Sequence, residues 1–322
     1  MWKTVKNMNK RKVIIDCAAG SDDAVMLALT AAHQRELDIL AVITTGGDQE
    51  PDTVIEKILE LTESFGMDVP VIKGCAVPVL RDAVYQTENK GTESSILPKS
   101  KKQAEQENGI LWLYRMLQKL PEEEKVTFVT TGALTDPALL FRVFPDIKKR
   151  IREVVFMGGS LSGGNRTAAA ESNFYRDPEA ASMLFHERIP LVMCGLDVTE
   201  KCTLSRNQIL KLCQSGSPAA RLCGDILGFS LENTMEKYRG EVSIQAAVPV
   251  MYLLRPELFE GGHKILTVDC SDGASRGAVF GGFRWWKNEE QETNVYVLTD
   301  VDKEKFQEEL IISLYELPHG KK

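Results

Sequence analysis

The chain has 322 residues, with 46 acidic against 39 basic side chains and a net charge of −7. No block of Lys and Arg is long enough to hold a nucleic-acid backbone, and the apolar runs are too short and too often broken by charge to span a membrane, so neither is an expected partner. The opening MWKTVKNMNKRK is basic but has no apolar signal core, and seven cysteines without a CxxC pair suit reduced thiols, so a cytoplasmic protein is expected.

KVIID at 12–16 reads as a strand, DDAVMLALTAAH from 22 as a helix and LDILAVITT at 37–45 as the next strand. The rhythm continues through VPVIKG at 69–74, KVTFVTTG at 125–132, REVVFMGG at 152–159 and IPLVMCGLD at 189–197. These runs are continuously apolar rather than alternating, which predicts an α/β fold: an open, mostly parallel central sheet covered by helices on both faces. Residues 76–108 are rich in Lys, Glu, Gln, Ser and Thr, with a helical period only from near Gln103, and the first part is predicted to be a mobile surface loop. From 205 onward helices dominate, followed by strand-like KILTVD at 264–269 and NVYVLTD at 294–300 and an amphipathic helix near 303–316. No linker interrupts the pattern, so one domain over 1–322 is expected.

Open parallel sheets bind ligands beyond the carboxyl ends of their strands. Polar clusters follow the strands here: residues 16–23, 44–49, 130–132 and 158–173. One rim of the sheet is therefore the expected site.

IIDCAAGSDDAV resembles the N-terminal signature D-x-D-x-G-x-D-D-A of the inosine-uridine-preferring nucleoside hydrolases, with Asp16, Gly20, Asp22, Asp23 and Ala24 in register. Clustered carboxylates at a strand end suit a hard cation or sugar hydroxyls; an isolated Asp pair before an apolar run is more often a helix cap. VTTGALTDPALL at 129–140 is similar to the family's T-G-x-L-T-N segment, and VVFMGGSLSGGNRTAAAESNFYRDPEAA at 154–181 to its M-G-G, G-N-x-T, A-E-F-N and D-P-E-A-A blocks. LDVTEK at 196–201, YLLRPELF at 252–259 and the C-terminal strand and helix also match, so the resemblance runs from about Lys12 to Leu314. It implies the nucleoside-hydrolase fold and a nucleoside or related ribosyl ligand. Asn165 and Glu171 would hold the ribose 5′-hydroxyl, Asn173 and Asp22 would bind the sugar, and Asp23 with the Thr131 carbonyl would belong to a calcium site. Family members are commonly dimers or tetramers, so a homo-oligomer is expected. Asp177 reads as a helix cap.

Two family carboxylates are missing. The Asp that binds calcium and acts as base is Ala18, the second calcium-binding Asp is Ala246, and the His that assists the leaving base is Gln245. The flanking Ala19 and Ala247 depart as well, which reads as natural divergence. Calcium takes six to eight oxygens and its affinity follows ligand charge, so one remaining carboxylate predicts no calcium cofactor. The expected function is an N-ribohydrolase working without calcium, with Asp22 or Asp16 as base. The alternative is a non-catalytic ribose or nucleoside binder, since recognition residues remain while chemical ones are lost. Arg239 and Arg166 are candidate replacement cations, although a surface position is the simpler reading of both.

Overall fold

The computed structural model describes residues 10–83, 85, 96–233, 239–281 and 294–317. In chain order its elements begin with β1 (Arg11–Cys17), α1 (Ser21–Ala32), β2 (Leu37–Thr44), α2 (Pro51–Ser64), β3 (Val71–Lys73), α3 (Gly109–Gln118), β4 (Val126–Thr130) and α4 (Thr135–Val143). Next come β5 (Ile151–Met157), α5 (Ser172–Arg176), α6 (Pro178–Phe185), β6 (Leu191–Cys194), α7 (Leu196–Thr199), β7 (Thr203–Ser205), α8 (Arg206–Cys213), α9 (Pro218–Asn233) and β8 (Glu241–Ser243). The chain closes with α10 (Ala247–Leu254), β9 (Phe259–Lys264), β10 (Leu266–Val268), β11 (Val279–Gly281), β12 (Val295–Val301) and α11 (Lys303–Glu316).

Eight strands form the main sheet in the order β3-β2-β1-β4-β5-β6-β12-β9. All neighbours are parallel except β9, which runs antiparallel to β12 along the edge. The two faces bury separate cores, which is why the strands lack a polar face. On one face Val13, Ile15 and Cys17 of β1 pack with apolar residues of α1, α9, α10 and α11. On the other, Ile14 packs with Phe128, Phe141, Phe156 and residues of α3, α4 and α6. Asp16 continues the alternation on the Ile14 side, so strand geometry carries a carboxylate into the interior.

The predicted strand at 264–269 is two strands. Phe259–Lys264 pairs with β12, whereas Leu266–Val268 leaves the main sheet to pair with β11. The helical period read from Gln103 starts later, at Gly109, where the Asn108 side chain accepts from the Leu111 amide. The loop expected in the first part of 76–108 falls in part on residues 84 and 86–95, which lie outside the described residues. Among the described residues no helix is long and apolar enough to cross a membrane.

The topology sets the position of a site. The chain winds outward from β1 through β2 to β3 and then returns to place β4 on the other side of β1, so the strand order reverses between β1 and β4. Open sheets with such a reversal bind ligands in the crevice beyond the carboxyl ends of the two strands, where the loops after β1 and β4 lie.

Candidate active site

The crevice is built from the β1–α1 loop, Ala18 to Gly20. Ala19 adopts φ +59°, the one positive φ of a non-glycine among the described residues. That turn aims two amides at the start of α1: Ala18 N and Gly20 N donate to Asp23 Oδ2 at 3.2 and 2.9 Å. The other oxygen, Asp23 Oδ1, accepts from Thr131 Oγ1 at 2.5 Å. Thr131 stands just after β4 and its amide donates to Asp16 O at 2.8 Å, which closes the loop onto the end of β1.

Asn173, on α5, donates through Nδ2 to the Thr131 carbonyl at 2.9 Å and to the Met157 carbonyl at 3.1 Å. Glu171 is the N-cap of that helix: Oε1 accepts from Asn173 N at 2.9 Å, and Oε2 from Gly159 N at 3.0 Å and Phe174 N at 3.2 Å. Burial pushes the Glu171 carboxyl up, and these amides pull against it. Asn165 is exposed, and its Oδ1 accepts from Ser172 N at 2.9 Å. Asp22 Oδ2 accepts from the Ala246 amide at 2.9 Å, just before α10. A side chain at Gly20 would come within 3.0 Å of Asp22 Oδ1, so glycine there keeps the carboxylate's space. Asp23, Thr131, Asn173, Glu171 and Asn165 are thus joined through hydrogen bonds of at most 3.2 Å, partly along α5 itself, and Asp22 stands beside them on the first turn of α1. Asp177 is the N-cap of α6, accepting from Ala180 N at 3.0 Å.

Calcium does not fit this donor set. Ala18 and Ala246 bring no side-chain oxygen. Asp23 is the one carboxylate left at this position; it accepts from the Ala18 and Gly20 amides and the Thr131 hydroxyl, and the Thr131 carbonyl accepts from Asn173 Nδ2. Among the described residues no group of three or more His, Cys, Asp or Glu side chains is placed to hold a metal.

Asp16 is fully buried, and neither of its carboxylate oxygens has a hydrogen-bond partner. The Thr130 hydroxyl, opposite it in the β1–β4 register, is likewise unpartnered, as is Oδ2 of the buried Asp136. Burial, the Asp136 charge and the Asp23 charge push the Asp16 carboxyl well above the ordinary range. Burial pushes Asp136 up to about 6 against the Cys75 amide, which donates to its Oδ1 at 2.8 Å. Asp136 was not singled out from sequence, although it ends the TGALTD block; its apolar flanks gave no sign of a buried carboxylate.

A second residue missed by sequence is Arg176, at the end of α5. Its Nη1 donates to Gly47 O at 2.6 Å and its Nη2 pairs with Asp48. Both arginines weighed as replacement cations, Arg239 and Arg166, are exposed. A cavity of about 720 Å³ opens at the amino ends of β5, β6 and β12, lined by Glu153, Tyr252, His263 and Tyr296 among others. It lies at the opposite end of the strands from the crevice, away from every group just described.

Residues 13–308 match the family described as inosine-uridine preferring nucleoside hydrolase. The chain is 31% identical over 300 residues to the pyrimidine-specific ribonucleoside hydrolase RihA of Citrobacter koseri, covering 91% of this chain and 95% of that protein. It is 31% identical over 274 residues to the pyrimidine-specific ribonucleoside hydrolase RihB of Escherichia coli, covering 84% and 87%. Among solved structures, the purine-preferring ribonucleoside hydrolase from Gardnerella vaginalis superimposes with a TM-score of 0.84 at 24% identity, covering 95% of this chain and 99% of that one. The order of motifs, the sheet and the crevice at its reversal point are those of one family, and the chain belongs to the inosine-uridine preferring nucleoside hydrolases.

Proposed function

We propose that the protein hydrolyses the C–N ribosidic bond of a nucleoside or related ribosyl compound without calcium. The observation that carries this reading is the joined set Asp23, Thr131, Asn173 and Glu171 beside Asp22, to which Ala18 and Ala246 add no carboxylate. Ribosidic cleavage breaks the C1′–N bond through an oxocarbenium-like sugar that water traps at C1′, while the departing base keeps the bonding pair and takes a proton from solvent. Asp22 is the base: the Ala246 amide fixes one of its oxygens, and the carboxylate takes the proton as water adds. Asn173 and Asn165 orient the sugar. Asp16 is too enclosed to meet a substrate, which leaves Asp22 as the carboxylate for the chemistry. The same reading takes the chain as one domain acting in the cytoplasm as a homo-oligomer, and seven free cysteines suit that compartment.

The test is ribose release from inosine and uridine by EDTA-treated protein, with Asp22→Asn as control. Turnover that survives EDTA and falls about 10²–10⁴-fold in the variant supports the reading. Activity restored only by added calcium sinks it. The missing Ala18 and Ala246 carboxylates favour a second reading, a ribose or nucleoside binder; saturable inosine binding with no ribose released would select it.

A further inference from the structure

Resting on that functional reading, we propose that Arg176 is a positioning residue that clamps the loop after β2 and so holds one wall of the ribose pocket in place. The loop, Thr45 to Glu50, carries two glycines and ends at α2, so little in its own sequence fixes it. Three neighbours surround it. Gly46 N donates to Cys75 O at 3.1 Å, and a side chain on Gly47 would stand 3.0 Å from the Ala18 Cβ. On the third side, Gly132 lies so close that a Cβ there would overlap Thr45 Cγ2 at 2.2 Å. The wall of the pocket nearest Ala18 is therefore this loop.

In the family pattern a carboxylate and its metal would organise that wall; here Ala18 offers only a methyl group. Arg176 reaches across instead. Its guanidinium donates to Gly47 O at 2.6 Å and pairs with the half-exposed Asp48, while its own side chain is mostly buried. A planar fork with several fixed donors can hold a backbone carbonyl and a carboxylate together, which an ammonium on a flexible stem does less well. Arg176 also shares α5 with Asn173, three residues earlier and so on the same face of the helix. One short helix, capped by Glu171, thus positions Asn173 against the Thr131 carbonyl and Arg176 against the opposing loop. A shift of the clamp would reach both sides of the sugar.

The experiment compares Arg176→Ala, Arg176→Lys and Asp48→Asn with the native chain in two measurements. Amide hydrogen exchange reads the clamp without any substrate: Arg176→Ala is expected to speed exchange at Gly47 and Asp48 by about tenfold or more while the β1 and β4 amides keep their protection. Kinetics on inosine and uridine read its use: KM is expected to rise about tenfold and kcat to fall further, with Arg176→Lys recovering part of KM but not kcat. Unchanged exchange at Gly47 and Asp48 overturns the clamp. Faster exchange with unchanged KM and kcat overturns its role in positioning. If the native chain releases no ribose from inosine or uridine, the hydrolase reading fails and takes the positioning role with it. That result is seen in the native protein, before any variant is compared.

Discussion

Asp136→Asn should make the protein more stable at neutral pH, and the reason is the pair of carboxylates that β1 and α4 bring inside. Asp136 is fully buried with one oxygen on the Cys75 amide and the other unpartnered, and neither carboxylate oxygen of Asp16 has a partner. Burial lifts Asp136 from an ordinary 3.8 to about 6. A carboxyl whose folded value exceeds its unfolded value binds its proton more tightly in the native state. Stability is therefore fully present below about pH 4, falls as pH rises through about 6, and stays low above. A shift of this size corresponds to about 3 kcal/mol. Asparagine keeps an oxygen for the Cys75 amide and removes the charge that raises Asp16. The variant is expected to gain about 3 kcal/mol at pH 7.5 in urea unfolding, or about 5 °C in Tm, and to lose that advantage near pH 4. Equal or lower stability at pH 7.5, or an advantage of the same size at both pH values, would refute the reasoning.

Glu179→Gln tests the opposite kind of buried charge. Arg276, 2% exposed, donates to both Glu179 oxygens at 2.7 and 2.8 Å, and neutralising that carboxylate leaves the cation only the exposed Asp272, 4.0 Å away, and the Cys270 carbonyl; a loss of about 3 kcal/mol in urea unfolding is expected, and an unchanged midpoint would contradict it. Ala18→Asp with Ala246→Asp should restore calcium binding, provided Thr131 and Asn173 release the Asp23 carboxylate and the Thr131 carbonyl. Calorimetry should show binding in the double variant and little in either single one, because ligands of one ion act as a unit; two single variants that bind as well as the double would defeat the idea.

Much of the fold was legible because a strand covered on both faces writes a continuous apolar run, as in KVIID and LDILAVITT, and a polar rim then marks the carboxyl ends. The break inside 264–269 was not legible. Lys264 and Leu266 go to different sheets because their partners, Val295 and Gly281, lie elsewhere in the chain, and apolar periodicity carries no record of partners. The site divides the same way. Asp22, Asp23, Thr131, Asn165, Glu171 and Asn173 stood out by motif, and the chain brings them to one rim. What each atom does there depends on groups far off in sequence: Asp23 on Thr131, 108 residues away, and Arg176 on Gly47, 129 residues away. Asp177 was read as a cap because a cap needs only the next turn of helix, and that information is local.

The hydrogen bond between Asp22 and the Ala246 amide spans 224 residues of chain. A contact so far apart in sequence carries a large loop-closure cost, so the carboxylate is expected to reach its final orientation late in folding. On a ribosome the first eight elements emerge with Asp22 already present but unoriented, and the segment at 246 arrives with most of the sheet behind it. The crevice is thus a property of the completed chain, and a partly synthesised or truncated protein carries every motif of the N-terminal signature without the geometry that gives them use.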